Sequence, residues 1–443
     1  MKRLHSLTIS TLLAFALTSC NGDELLHLDP NGVQSNIRQN TFSGQFKAIW
    51  NGINEGYTYW PFTDVDWDRR YWEFLPVFEQ LDKDYKEWQE ADTASNEDFI
   101  SPDSLKNIYK SLTDGLIDGH MEIRLQMLNN MSRSIAFPPS RMLWTRENGN
   151  PDAIESGDFR QYTFLRMIAN TASDICECFE IDNDGSMIAD SYNACYVVNR
   201  KYLYFRYPEF DYDDFEANEN KPEQNQSGYH KCLKYFRNLL ADGQDRGWLK
   251  GVIIDIRRNG GGYCNAFPYS PIGMLLDGSM RTIGTYQGRN GIGHYDLTPE
   301  IPFIVTGSAE TDYSGPVVLL TDRRTASMSE IAVMTAQTMP NWHTIGGTTY
   351  GAIGGWFGND YFTYMNGEVG NGYSWNSSVS NYANYYIVMS HMILCGPDKV
   401  CHEGVGISPD YSVPFDMELN GRSHGRRQDS QFEAAISFLD RNN

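Results

Sequence analysis

The stretch Val317–Glu330, reading VVLLTDRRTASMSE, constrains this chain more than any other. Its apolar run, Val317 to Leu320, has the length and β-branched character of a buried strand. A polar turn follows over residues 321–325, and then a helical pattern places Ile331, Met334 and Thr335 on one side. Ser327 falls at this strand-to-helix corner, where a hydroxyl is exposed and helix N–H groups without intrahelical partners point at the same spot. That placement suits a nucleophile. It also suits a helix cap, with Ser327 or Ser329 as the cap and Glu330 as its partner. The corner alone does not choose between them.

A second corner resembles the first. Residues 251–257, GVIIDIR, form a nearly continuous apolar run of the kind found in central strands buried on both faces. Arg258-Asn259-Gly260-Gly261-Gly262 follows, and glycines there let backbone N–H groups approach a ligand. No Gly-Lys-Ser/Thr follows, so a phosphate loop is disfavoured. An oxyanion hole and a plain flexible turn both remain open. Strands alternate with helices from about Tyr202 onward, which argues an α/β core over residues 201–443.

The upstream chain divides by pattern. Residues 41–125 read as a helical domain, with Phe42, Phe46, Ile49 and Trp50 on one face, then Tyr71, Phe74, Leu75 and Phe78, then Leu105, Ile108, Tyr109, Leu112 and Leu116. Trp60-Pro61-Phe62 breaks the first helix. The domain closes in Ile117-Asp118-Gly119-His120, and His120 opens a short strand. Taken alone, such a histidine is more often structural than a base. Residues 126–200 are punctuated by Pro, Gly and Asn, and read as a β-rich insertion or small subdomain with no clear PDZ pattern. In the C-terminal part, residues 348–370 read as a Gly-rich loop, 385–394 as one long strand and 431–439 as a helix.

Residues 1–19 combine a basic start, Lys2 and Arg3, with a short apolar run that is too short to span a membrane. The segment ends in Leu17-Thr18-Ser19-Cys20, which resembles a bacterial lipobox with Cys20 as the lipidated residue. Residues 20–40 then act as a tether. This implies an outer-membrane lipoprotein, on the periplasmic or cell-surface side, held by a lipid anchor. Seven of the eight cysteines follow Cys20. Cys176 and Cys178 have no second pair at zinc-finger spacing, so no metal is expected. One or two disulfides are open to such a chain, with no pairing fixed by the sequence. The net charge of −21 repels nucleic-acid phosphates and excludes that class of partner.

Four separated segments together resemble the C-terminal-processing, or tail-specific, serine peptidases: GVIIDIRRNGGG, TASMSE, IGGTTYGAIGG and GVGISPDYSV. The IDGH segment and the helices before it resemble the tricorn-like relatives of that family. The resemblance implies a crotonase-like ββα core behind an N-terminal helical domain, and a serine endopeptidase acting outside the cytoplasm on peptides or proteins without a cofactor. Ser327 matches the family nucleophile. The processing members take a lysine base after the glycine of a T-x-G-K sequence, but here Thr349-Tyr350-Gly351 is followed by Ala352. The tricorn-like branch uses Ser, His and Glu, which implies His120 as base and Glu403 as its orienting acid. The N–H of Met328 and one from Gly260 or Gly261 would then stabilise the oxyanion. His402 competes with these roles by position. Arg257, Arg258, Arg323 and Arg324 either bind a peptide carboxylate or brace the core. The rival reading is a catalytically silent peptidase fold that binds a peptide or lipid ligand.

Overall fold

The fold is taken from a computed structural model and is described for residues 41–91, 99–127, 130–137, 172–178, 193–210, 218–291, 293–308, 311, 313–355, 362–365, 368–371, 385–390, 392–414 and 429–442. It is mixed α/β with a helical N-terminal region. No helix among the described residues is long and apolar enough to cross a membrane. The expected lipidation site, Cys20, lies outside the described residues.

Among the described residues, three helices build the N-terminal region: α1 (Phe42–Gly56), α2 (Trp67–Glu90) and α3 (Pro102–Leu112). Each starts on a side-chain oxygen that satisfies an end N–H: Thr41, Asp66 and Ser101 accept from Gly44, Arg69 and Ser104. Their apolar faces meet in an aromatic core, where Phe46 stacks on Phe78 and Trp50 on Trp67. The expected break at Trp60 is a single 3-10 turn. α2 runs through Pro76 to Glu90, well past the apolar pattern that ends at Phe78, and only Trp67, Tyr71 and Phe78 of its residues are buried.

This region packs on a five-stranded sheet. Strand β1 (Glu122–Met127) lies between β2 (Asn130–Phe137) and β13 (Tyr385–Met389), and β11 (Phe362–Met365) and β12 (Glu368–Asn371) complete the far side. Strands β11 and β12 fall within the stretch expected to be a loop. The long strand expected over 385–394 is two strands in different sheets. It breaks at Ser390, whose N–H and Oγ both donate to Asp118 while its carbonyl accepts from Thr58 Oγ1. Those bonds remove the backbone groups a continuous ladder would need. Beyond the break, β14 (Met392–Cys395) joins β7 (Arg281–Gly288) and β8 (Ile301–Val305) in a three-stranded sheet.

The central sheet has seven strands. β3 (Ala172–Cys178), β4 (Asn193–Val198) and β5 (Tyr202–Arg206) are antiparallel, and β5 continues parallel into β6 (Gly251–Asp255), β9 (Val317–Thr321), β10 (Trp342–Gly346) and the short β15 (Tyr411–Ser412). Alternate residues of its strands face opposite layers. Leu203, Phe205, Val252, Ile254, Val317 and Leu319 pack with α4 (Gly228–Asp245) and α6 (Met328–Gln337), next to the short α5 (Pro271–Met274). Tyr204, Ile253, Val318 and Leu320 pack instead with α7 (Ser430–Asn442). Both faces are therefore covered, as a parallel sheet requires. β6 and β9 are parallel neighbours, so the glycine turn after one and the serine corner after the other emerge side by side. That is the crevice at the carboxyl ends of strands where open α/β sheets place their sites.

Candidate active site

Ser327 sits between β9 and α6 with φ 56° and ψ −122°. A non-glycine residue at positive φ is strained, and such strain concentrates at functional corners. Several hydrogen bonds hold it. Ser327 N–H lies 2.9 Å from Ala352 O and 3.1 Å from Glu330 Oε2. Glu330 is wholly buried and also accepts from Thr349 Oγ1, Gly351 N–H and Ala352 N–H, at 2.5, 2.8 and 2.9 Å. It thus reaches back as a capping residue and also pins the following loop to the corner. Burial pushes its carboxyl up to about 7 against those donors.

The two turns are stitched together. Asp322 Oδ1 accepts from Arg258 N–H at 2.8 Å and Arg324 N–H at 3.0 Å, and Ala326 N–H donates to Asn259 O at 2.9 Å. Gly261 lies so close that a Cβ there would stand 2.5 Å from Ser327 Cβ. Its N–H is engaged by Asn259 Oδ1 at 2.9 Å, which corrects its expected place as an oxyanion donor. Gly260 is exposed, with open space where a Cβ would lie. Met328 is the first residue of α6, so its N–H is among those that lack an intrahelical acceptor.

His120 reaches the corner from the far end of the sequence. Its Nε2 lies 3.0 Å from Ser327 Oγ. The ring is half-buried by exposed area, yet enough packed atoms surround it that desolvation lowers its pKa to about 4. It is therefore neutral, able to accept a proton, across the physiological range.

Glu403 does not bond to Ser327. Its Oε1 accepts from Gly119 N–H at 2.6 Å, and its Oε2 accepts from Ile353 N–H and Gly354 N–H at 2.8 Å each. Tyr59 Oη stands 3.0 Å from the same Oε2. Polar atoms of Asp118, His120 and Glu403 all lie within 4.8 Å of one another. Burial, and then the charge of Asp118, push Glu403 up to about 8, and burial also raises Asp118. Burial and a neighbouring like charge both disfavour the ionised form of Glu403. Asp118 itself accepts from the His120 N–H and from both the N–H and the Oγ of Ser390.

His402 is engaged elsewhere, its Nε2 2.9 Å from Asp398 Oδ2. Ala352 is buried, and a Cβ on Gly119 would stand 2.4 Å from the Ala352 Cβ, so the histidine segment packs directly against this loop. Arg257 and Arg323 are braces. The first is wholly buried against Asp255 and Asp429, at 2.6 and 2.8 Å. The second donates through Nη1 to Thr349 O and Val405 O, at 2.6 and 2.9 Å. Arg324 is exposed.

A strained serine bonded to a neutral histidine, beside a buried acid and a glycine turn, is the constellation of an acyl-transfer site. Residues 201–413 match Peptidase family S41. The matched segment holds Ser327, Met328, Gly260, Gly261 and Glu403, while His120 and Tyr59 lie outside it. No curated protein gives a significant sequence match. Among solved structures, a candidate peptidase from Parabacteroides merdae ATCC 43184 is similar at 20% identity and TM-score 0.56, over 92% of this chain and 97% of that one. A lipoprotein from Streptococcus agalactiae is similar at 11% identity and TM-score 0.41, over 91% and 97%. The photosystem II D1 C-terminal processing protease is similar at 13% identity and TM-score 0.35, over 85% and 93%. The Parabacteroides likeness extends beyond the S41 segment to most of the chain, and it is a likeness of fold.

Tyr59, Asp118 and Ser390 had no assigned role in the sequence. Asp118 stands beside His120 in IDGH, and a buried acid two residues before a candidate base was the available signal.

Proposed function

We propose that this protein is a serine peptidase that cleaves peptide bonds through an acyl-enzyme. The observation that carries the reading is the 3.0 Å contact between His120 Nε2 and Ser327 Oγ at a corner of positive φ. Ser327 Oγ attacks the peptide carbonyl as His120 Nε2 takes its proton. The proton passes to the leaving amine, and a water activated by the same nitrogen releases the acid. Met328 N–H and Gly260 N–H serve the oxyanion, where losing one donor costs on the order of 100- to 1000-fold in rate. Glu403 fixes the Gly119–His120 backbone and, when ionised, favours the imidazolium.

A fluorophosphonate probe tests this directly. Wild-type protein labels, and Ser327→Ala, folded by circular dichroism, does not. A folded wild type that stays unlabelled over a range of pH sinks the reading.

The N-terminal pattern supports a lipid tether at Cys20 in the outer membrane, on the periplasmic or cell-surface side. Metabolic labelling with a fatty acid should mark wild-type protein and miss Cys20→Ala; equal labelling of both removes the anchor.

A further inference from the structure

We propose that Cys395 and Cys401 are a disulfide-forming pair that closes the hairpin in front of Glu403. Cys395 ends β14, and Cys401 faces it across an isolated antiparallel bridge. The turn between them is tight. Lys399 N–H donates to Gly396 O at 2.9 Å, Gly396 N–H donates to Val400 O at 3.0 Å, and Lys399 takes φ 63°. Asp398 Oδ1 closes the turn by accepting from Val400 N–H at 3.0 Å. The Gly396–Val400 bond lies one step inside the cysteine pair, which makes Cys395 and Cys401 a non-hydrogen-bonded pair, the closer of the two antiparallel kinds. Such pairs hold their Cα atoms about 4.5 Å apart, within the roughly 4.4–6.8 Å a disulfide spans. Each thiol shifts the other's proton affinity, Cys395 downward and Cys401 upward. Both are half-buried against the N-terminal aromatic core, whereas Cys264 is exposed.

The chemistry is ordinary exchange. The neighbouring Cys401 lowers the pKa of Cys395, which makes Cys395 the attacking thiolate. It attacks a disulfide donor, either glutathione disulfide or the active-site disulfide of a thiol oxidoreductase, and one donor sulfur leaves as thiolate. Cys401 loses its proton and attacks the Cys395 sulfur of the mixed disulfide, and the second donor sulfur leaves. The protein loses two thiol hydrogens and two electrons, and one donor disulfide becomes two thiols. Cys401 lies two residues before Glu403, so the bond would fix the backbone that carries Glu403 to Gly119. That last consequence rests on the peptidase reading; the bond itself does not.

The test uses full-length protein equilibrated in a glutathione redox buffer, quenched with N-ethylmaleimide and mapped by mass spectrometry without reduction. Trypsin cuts after Lys399, so the expected product is two peptides joined through Cys395 and Cys401, with Cys264 alkylated or carrying glutathione. The oxidised wild type melts a few degrees above the reduced form, and Cys395→Ala/Cys401→Ala shows no redox-dependent shift. Alkylation of both thiols under oxidising conditions, or separate glutathione adducts on each, overturns the proposal. If the double variant does not fold, the wild-type map decides alone. Neither readout involves Ser327, so the result stands apart from the labelling experiment.

Discussion

Tyr59 Oη lies 3.0 Å from Glu403 Oε2, although 344 positions separate the two residues. The same oxygen lies 3.1 Å from Met392 O. A phenol has one hydrogen and cannot serve both acceptors. With Glu403 ionised, the hydrogen goes to the carboxylate. With Glu403 protonated, the acid donates to Oη and the phenol turns to Met392. The N-terminal helical region therefore contributes a hydroxyl that follows the charge on the acid behind His120.

This fixes a prediction about pH dependence. His120 is held near 4 and is already a neutral base at neutral pH, so the rise in kcat/KM belongs to Glu403, near 8. Tyr59→Phe removes one donor to the carboxylate, makes ionisation harder and moves the rise to higher pH. The loss falls on kcat, since Tyr59 acts through Glu403 and is wholly buried. The pH profile of kcat and KM for both proteins checks it. A rise centred at the ordinary histidine value of 6.5 in both would assign the limb to His120 instead.

The glycine turn offers a paired test. Gly261 has φ +100°, and a Cβ there meets Ser327 Cβ at 2.5 Å and Met328 N at 2.8 Å. Gly261→Ala must push the corner away or strain the turn. It should cost about 1–3 kcal/mol of stability and most of the activity. Gly260→Ala meets open space and keeps its N–H, so it should leave both near wild type. Thermal melts and fluorophosphonate labelling rates separate the two. Equal behaviour of the variants would mean that the turn does not press on the serine.

The parts of the site legible from the residues alone are those built from neighbours in the chain; His120 and Glu403 entered only through the family resemblance. Ser327, Met328 and Glu330 lie in one strand-to-helix corner, and Gly260 and Gly261 lie in one turn. The absence of a lysine at Ala352 was equally local. What hydrogen bonds do across the fold was not legible. Asp118 breaks the strand at Ser390 from 272 positions away, and nothing in the apolar run of 385–394 announces it. Gly261 looked like a donor because glycines after a buried strand let backbone N–H groups approach a ligand; the fold gives that N–H to Asn259 Oδ1. The fold class was readable for a related reason. Covered parallel strands such as VVLLT and GVIID are apolar throughout, so their character survives without knowledge of their partners.

The buried acids also set how stability depends on pH. Glu403 moves from an ordinary 4.5 to about 8, and Glu330 from 4.5 to about 7. Between those values the folded chain binds more protons than the unfolded one, so their stabilising effect is complete below 4.5 and is lost as pH rises through 7 and 8. Asp118, also raised, acts in the same direction. His120 works the other way. Its pKa falls from 6.5 to about 4, so its effect is complete above 6.5 and is lost as pH falls toward 4. The two trends oppose each other at mildly acidic pH, and above 6.5 only the carboxyls remain. Stability should therefore decline from near-neutral to mildly alkaline pH, with a slope of at most about 1.4 kcal/mol per pH unit for each acid that ionises. Glu403→Gln cannot ionise and should flatten that decline by one group's share. Denaturant titrations of both proteins on either side of pH 8 measure it. Parallel curves for wild type and variant would show that Glu403 is already ionised at neutral pH.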